Sequence, residues 1–400
     1  MEKFRFIKRV SNLGKPRLYY SLSLFLIGSI LLTYRLTDTP KGLSATELST
    51  QNNLINHGYN YHYLLHHVSN FMFSWYLTAL NYLNLHGLFL IRLSGYLCGI
   101  IAIFMFYYIA ETFTNKLIGV LSTGLFSTSL WFLQITRNSQ SLGYYSFTIL
   151  IGVLISILYY RKKSINLLVI LSSILFGFTL YIPGMFWFGL LFIIINYRTI
   201  KAEIRSLSIK YKILPLSFFI IIVAPIIYDF TLNHSQIYLS LLIPSAINFH
   251  QLLIQFLNYP KYLFFENNPT LAFSIGRLPL IVFASTILVV FSGIWLYKNR
   301  KNTITAYIYL SVAINWLLYT LNGGKSIYIT LPLFSLLMSI GVYYLYTEWK
   351  KIFPRNPYSD FTARVLIVLL ISSICLYQVL LYFIVWPHTT NVLSLYSHYL

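Results

Sequence analysis

Apolar runs long enough to cross a bilayer recur from one end of this sequence to the other, and they leave the chain few folds to choose from. One reads LFLIRLSGYLCGIIAIFMFYYIA, residues 88–110, with a single charge in it. About 20 residues of helix span the roughly 30 Å of hydrocarbon in a bilayer. A membrane β-barrel would instead show segments of about ten strictly alternating residues, and none is present. Charged residues make up 10% of the chain and the mean hydropathy is +0.68, against about a quarter charged in a soluble domain. The sequence therefore predicts an all-α polytopic membrane protein, folded as a single integral membrane domain over 1–400 with no soluble C-terminal domain.

Eleven spans are expected, at 18–36, 88–110, 117–135, 143–160, 167–182, 184–197, 213–229, 278–297, 304–321, 328–346 and 365–386. A basic start followed by an apolar stretch with no small-residue cleavage site reads as an uncleaved first span. With residues 1–17 as a cytoplasmic basic tail, 22 of the 29 Lys and Arg fall on the inner side and seven on the outer. That bias is the positive-inside signal. It predicts a chain integral to the cytoplasmic (inner or plasma) membrane, with its active face extracytoplasmic. The net charge of +20 is thereby a topology signal, and no nucleic-acid partner is expected. Cys98 and Cys375 both lie within apolar runs and suggest neither a disulfide framework nor a metal site.

Only two outer segments are long, 37–87 and 230–277. Both are rich in Asn, Tyr and His with apolar positions at helical spacing, as expected of interfacial helices lying along the membrane face. Membrane lipids are accordingly expected partners.

The outer side holds four of the nine carboxylates: Asp38, Glu47, Asp229 and Glu266. Glu2, Glu111, Glu203, Glu348 and Asp360 fall inside, next to basic residues that balance them. Asp229 closes a span in APIIYDF, so its charge sits close to hydrocarbon and wants a partner. Glu47 follows Gly42 and Ser44 in PKGLSATEL. It reads either as a first-turn acid favoured by the helix dipole or as a chemical group. Arg92, Arg137, Arg277 and Lys325 lie at the outer ends of spans. Such residues commonly snorkel, and equally they could collect a phosphate, Arg by a bidentate fork and Lys as a point charge. His66 and His67 stand in the first outer segment. No phosphate-binding glycine loop, dinucleotide fingerprint or His-Glu-x-x-His spacing occurs.

In order and content these features resemble the polytopic glycosyltransferases of the C-type fold, especially the bacterial branch related to protein O-mannosyltransferases and the lipid A aminoarabinose transferase. That family's first outer loop typically reads Pro-Pro-Gly-Leu, two residues, then Asp-Glu. In PKGLSATE, Pro40, Gly42, Leu43 and Glu47 are in register, and Thr46 stands at the aspartate. The stretch HHVSNFMFSWYLTALNYLNLHG and then FLIRLSGYL follows the family's next segments without their prolines. ITRNSQSLGYY supplies Arg137, with Gln140 at a second arginine, and GKSIYITLP supplies Lys325 for the usual arginine.

The resemblance implies transfer of a sugar from a polyprenyl-phosphate donor to a protein, lipid or glycan acceptor, with inversion. Glu47 would be the base, with Asp38 and Asp229 as further catalytic candidates. Arg137, Lys325, Arg92 and Arg277 would hold the donor phosphate, and His66, His67 and Thr46 would contact acceptor or sugar. Among relatives of this kind some use a divalent metal; Thr46 removes one of the paired acids and disfavours it here, so no metal ligands are assigned. The alternatives are an O-antigen ligase or polymerase-like envelope enzyme, a non-enzymatic lipid-glycan transporter, and an inactive relative. The early Gly-Leu…Glu loop and nearly uncharged span centres favour the first reading.

Overall fold

The structure, a computed structural model, describes residues 16–45, 47–49, 52, 87–137, 165–181, 183–232, 234–244, 248–266, 275–322, 330–353 and 357–396. The regular elements among these residues are all helical. In chain order they are α1 (Pro16–Thr33), α2 (Gly87–Phe113), α3 (Lys116–Thr128), α4 (Leu130–Arg137), α5 (Ile165–Thr179), α6 (Met185–Ser206) and α7 (Ile209–Leu232). There follow α8 (His234–Leu241), α9 (Phe249–Phe264), α10 (Phe283–Lys298), α11 (Thr303–Asn322), α12 (Thr330–Ile352), α13 (Pro357–Leu380) and α14 (Thr390–Leu395). A wider turn over Leu381–Val385 and a tight one over Trp386–His388 carry α13 on towards α14.

Among the described residues three helices are long and apolar enough to cross a membrane, Ile91–Phe113, Tyr211–Leu232 and Tyr358–His388; the bent pair α3–α4 would make a fourth. These are the helices of a membrane-associated chain. The expected span at 143–160 lies outside the described residues, as does most of 37–87.

The expected span at 117–135 is interrupted: α3 and α4 meet at an angle of 59°. The local sequence explains the break. Ser127 and Thr128 turn their hydroxyls back onto the carbonyl of Gly124, at 3.2 and 2.8 Å, and Ser129 bonds that of Phe126 at 2.7 Å. Hydroxyl side chains that bond the backbone in this way compete with the helix ladder and bend it. Beyond the break, Ser129 Oγ accepts from Phe132 N at 3.3 Å, and Gln378 Oε1, from α13, accepts from Leu130 N at 3.1 Å. Two of the orphaned amides at the start of α4 thus have partners.

Where helices cross, glycines let backbones touch. A Cβ on Gly341 would lie 2.0 Å from the carbonyl oxygen of Leu288, which brings α12 against α10. One on Gly95 would lie 1.9 Å from the carbonyl oxygen of Thr136, so α2 and α4 meet main chain to main chain. Such close approach is the usual geometry of helix pairs in apolar surroundings. The Gly95 crossing also sets the site: Arg92 lies one helical turn before Gly95, and Arg137 follows Thr136 directly.

Charges gather at two levels. At one, Glu348 of α12 pairs with Lys298 of α10 at 3.7 Å and with Lys351 at 2.6 Å. Beside it, Asp360 of α13 pairs with Lys350 at 2.7 Å and accepts from Tyr346 at 2.8 Å. Glu348 and Asp360 therefore do balance local charge, as expected. At the other level, Tyr382 of the α13 extension meets Arg137. The 22 residues between Asp360 and Tyr382 correspond to about 33 Å of helix, close to the thickness of bilayer hydrocarbon.

The Gly95 crossing is open to test. Gly95→Ala is expected to lower the thermal midpoint in detergent by the equivalent of about 1–3 kcal/mol, the usual cost of overpacking. Gly293→Ala, where no atom lies within 4 Å of the added methyl, is expected to be neutral or mildly stabilising. Equal behaviour of the two variants would contradict the packing described.

Candidate functional site

The segment between α1 and residue 49 folds around two arginines. α1 ends as Arg35 turns into the left-handed region, φ 49°, and its carbonyl accepts from the N–H groups of Asp38 and Thr39 at 3.2 and 3.0 Å. The chain reverses through Gly42, φ 89°, a conformation that glycine adopts without strain. A new helical turn then starts after Ser44, with Leu48 N donating to Ser44 O at 2.9 Å.

That turn carries a reciprocal cap. Glu47 N donates to Ser44 Oγ at 3.2 Å, while Glu47 Oε2 accepts from Ser44 N at 3.0 Å and Ser44 Oγ at 3.3 Å. This is the Ser-x-x-Glu capping box. Glu47 also meets Arg92 from α2: Nε donates to Oε1 at 3.0 Å, and Nη2 donates to Oε2 at 3.4 Å. Glu47 is 1% exposed and Arg92 is fully buried. The remaining Arg92 donors go to main chain, Nη1 to the carbonyls of Leu36, Thr37 and Pro40 and Nη2 to that of Gly42.

Arg137 treats the preceding turn in the same way. Its Nη1 donates to the carbonyls of Leu31 at 2.7 Å and Leu32 at 3.3 Å, and its Nη2 to those of Tyr34 at 2.6 Å and Arg35 at 3.0 Å. Nε donates to Tyr382 Oη at 3.1 Å, and the guanidinium sits over the rings of Tyr382 and Phe383. A cation here complements the partial negative charge at the C-terminal end of α1. Five N–H donors thus meet five acceptors.

Aromatic residues close the far side. Tyr382 stacks on Trp386 with ring centroids 5.2 Å apart, and Trp386 meets Tyr396 edge-on at 6.1 Å. Burial pushes the Tyr396 hydroxyl well above the usual tyrosine range, and the nearby Glu47 carboxylate adds to the effect. Tyr396 therefore stays a neutral hydroxyl beside the ion pair.

In comparisons with protein-family models, curated proteins and solved structures, nothing matches this chain. The site's chemistry is therefore argued from its own geometry.

Of the expected site residues, the structure brings Glu47, Arg92 and Arg137 together in one buried cluster. Each N–H of the two arginines is engaged within the protein, so neither has a donor to offer a phosphate in this arrangement; what they hold is main chain. Asp38 is exposed on the turn after α1. Asp229 is buried near the end of α7, a helix packed against α5 and α8. Arg277 is 90% exposed and reaches Glu266 at 3.8 Å. Thr46, His66, His67 and Lys325 lie outside the described residues. Among the described residues no cluster of His, Cys, Asp and Glu could hold a metal ion.

Sequence reasoning gave Ser44, Tyr382 and Tyr396 no role in the site. The Ser44-to-Glu47 spacing was a usable signal for the cap. The two tyrosines carried none, because they join the site only through the fold.

The pair predicts strong coupling. Arg92→Gln and Glu47→Gln singly are each expected to cost about 3–5 kcal/mol, since removing one partner strands a buried charge. In a double-mutant cycle read by detergent denaturation, the combined variant is expected to cost clearly less than the sum. Additive costs would mean that the two side chains do not pair.

Proposed function

We propose that this chain is a membrane glycosyltransferase that moves a sugar from a polyprenyl-phosphate donor to an acceptor hydroxyl at the outer face. The observation that carries the reading is Glu47, a scarce carboxylate fixed at the turn that follows the first apolar helix, next to a second charged group from α2. A general base has to be held in position before its strength matters. Here Ser44 and Arg92 both engage Oε2, and among the described residues Oε1 has one partner, Arg92 Nε. In this reading Oε1 takes the acceptor proton through its second lone pair. The acceptor oxygen bonds to the anomeric carbon as the bond from that carbon to the phosphate oxygen breaks, inverting the centre. The departing lipid phosphate carries the electron pair.

Charge developing on that phosphate needs preorganised cations. With the donors of Arg92 and Arg137 already committed, the task falls in this reading to Arg277 and Lys325. The two arginines act instead as positioning residues. The architecture that goes with this function has eleven spans, a cytoplasmic N-terminus and outer interfacial helices. The two charged levels about 33 Å apart along α13 support it.

One observation favours a second reading. The capping box and the saturated arginines account for Glu47 without any chemistry, and Thr46 supplies no second acid. An inactive relative with a purely architectural cluster would look the same.

Transfer separates the two. Purified protein in lipid nanodiscs would be offered radiolabelled polyprenyl-phosphate sugars with cell-envelope acceptors. Wild type is expected to transfer label, and Glu47→Gln to lose at least about 100-fold, the low end of general-base effects. Glu47→Asp keeps the charge and shortens the reach, so it is expected to fold and still lose activity. Undiminished transfer in both variants would overturn the assignment of Glu47, and no transfer by wild type with any donor would favour the inactive relative.

A further inference from the structure

Beyond Tyr382 the chain is tied to the buried cluster by a row of rings. Tyr382 Oη accepts from Arg137 Nε at 3.1 Å, Trp386 stacks on Tyr382 at 5.2 Å, and Tyr396 meets Trp386 edge-on at 6.1 Å. Tyr396 thus ends a row that begins on Arg137, and the charges of Glu47 and Arg92 both act on its hydroxyl. Tyr396 is 4% exposed and Glu47 1%. A base has to come within hydrogen-bond reach of the proton it takes, so an acceptor can use Glu47 only after some part of this cover moves.

The segment that carries Tyr396 is built to move separately. Thr389, extended at φ −73° and ψ 141°, parts the tight turn at Trp386–His388 from α14. The main-chain bonds around it are local. Thr389 N donates to Trp386 O, Val392 N and Leu393 N donate to Thr389 O, and Tyr396 N donates to Val392 O. α14 packs against the tight turn that precedes it. Two side chains four residues apart, Val392 and Tyr396, are buried in the main core, whereas Leu393 and Leu395 between them are exposed. Short segments with local main-chain bonds and few buried anchors open while the helices beneath stay folded.

We infer that residues 389–396 form an autoinhibitory strap, with Tyr396 and Val392 shutting the approach to Glu47 until the segment swings about Thr389 and admits the acceptor. Trp386 lies before the hinge and stays stacked on Tyr382, so the grip of Arg137 on the end of α1 survives the opening. The inhibitory role rests on the reading of Glu47 as the base; the opening itself does not. With an open state populated at about 10%, loss of the anchor would raise transfer by up to about tenfold.

Two readouts test the strap on the full chain in lipid nanodiscs. One is transfer from radiolabelled polyprenyl-phosphate sugars, and the other is hydrogen exchange followed by mass spectrometry. Tyr396→Ala is expected to fold, to raise transfer about tenfold, and to speed exchange in peptides covering 36–48 by a similar factor. Peptides from α10 and α12 are expected to exchange as in wild type. Val392→Ala should act in the same direction with a smaller effect, and Leu393→Ala, on the exposed side, should match wild type. Transfer unchanged or lowered in both anchor variants would overturn the strap. So would failure of both to fold, which would make the segment part of the frame. If wild type transfers with no donor, the reading of Glu47 fails instead and exchange alone decides. Faster exchange confined to 36–48 would then support an opening strap, and unchanged or uniformly faster exchange would overturn it.

Discussion

Two buried guanidinium groups hold the end of α1 and the turn beyond it. Arg137 gathers the carbonyls of Leu31, Leu32, Tyr34 and Arg35, and Arg92 gathers those of Leu36, Thr37, Pro40 and Gly42. Between them they satisfy a stretch of backbone that leaves a helix and turns back on itself, where unpaired carbonyls would be costly. Neither charge would be tolerable there alone. Arg92 is neutralised by Glu47, and Arg137 by the carbonyl dipoles at the end of α1 together with the rings of Tyr382 and Phe383. The turn, the cap and the approach of α2, α4 and α13 are therefore one linked arrangement, registered by the Gly95–Thr136 contact.

Much of the helical frame was legible from hydropathy alone, because a segment in hydrocarbon must satisfy its own backbone. α10, α11 and α12 follow the expected spans to within six residues at each end, and the acids at Glu348 and Asp360 sit with the cations expected. Proline misleads where serine does not. Pro215 and Pro225 both lie inside α7, which stays one helix, whereas the sharp break falls at Ser127–Ser129, where no proline occurs. The hydroxyls there divert carbonyl acceptors, a local competition that hydropathy does not register.

The site was half legible. Its cap is written in four consecutive residues, Ser44 to Glu47, and the scarcity of acids drew attention to it. The partner is 45 positions away, and which of four outer cations would reach Glu47 depends on how α2 crosses α4. A sequence reading that counted outer arginines as free charges could not see that main-chain carbonyls would absorb them.

The most direct measurement is a cryo-electron microscopy map of the full chain in lipid nanodiscs, at a resolution that shows side chains. The account predicts continuous density from Arg92 to Glu47 and to the carbonyls of residues 36–42, and from Arg137 to the end of α1 and Tyr382. Arginine side chains turned into an open outer cavity, with Glu47 unpaired, would contradict it.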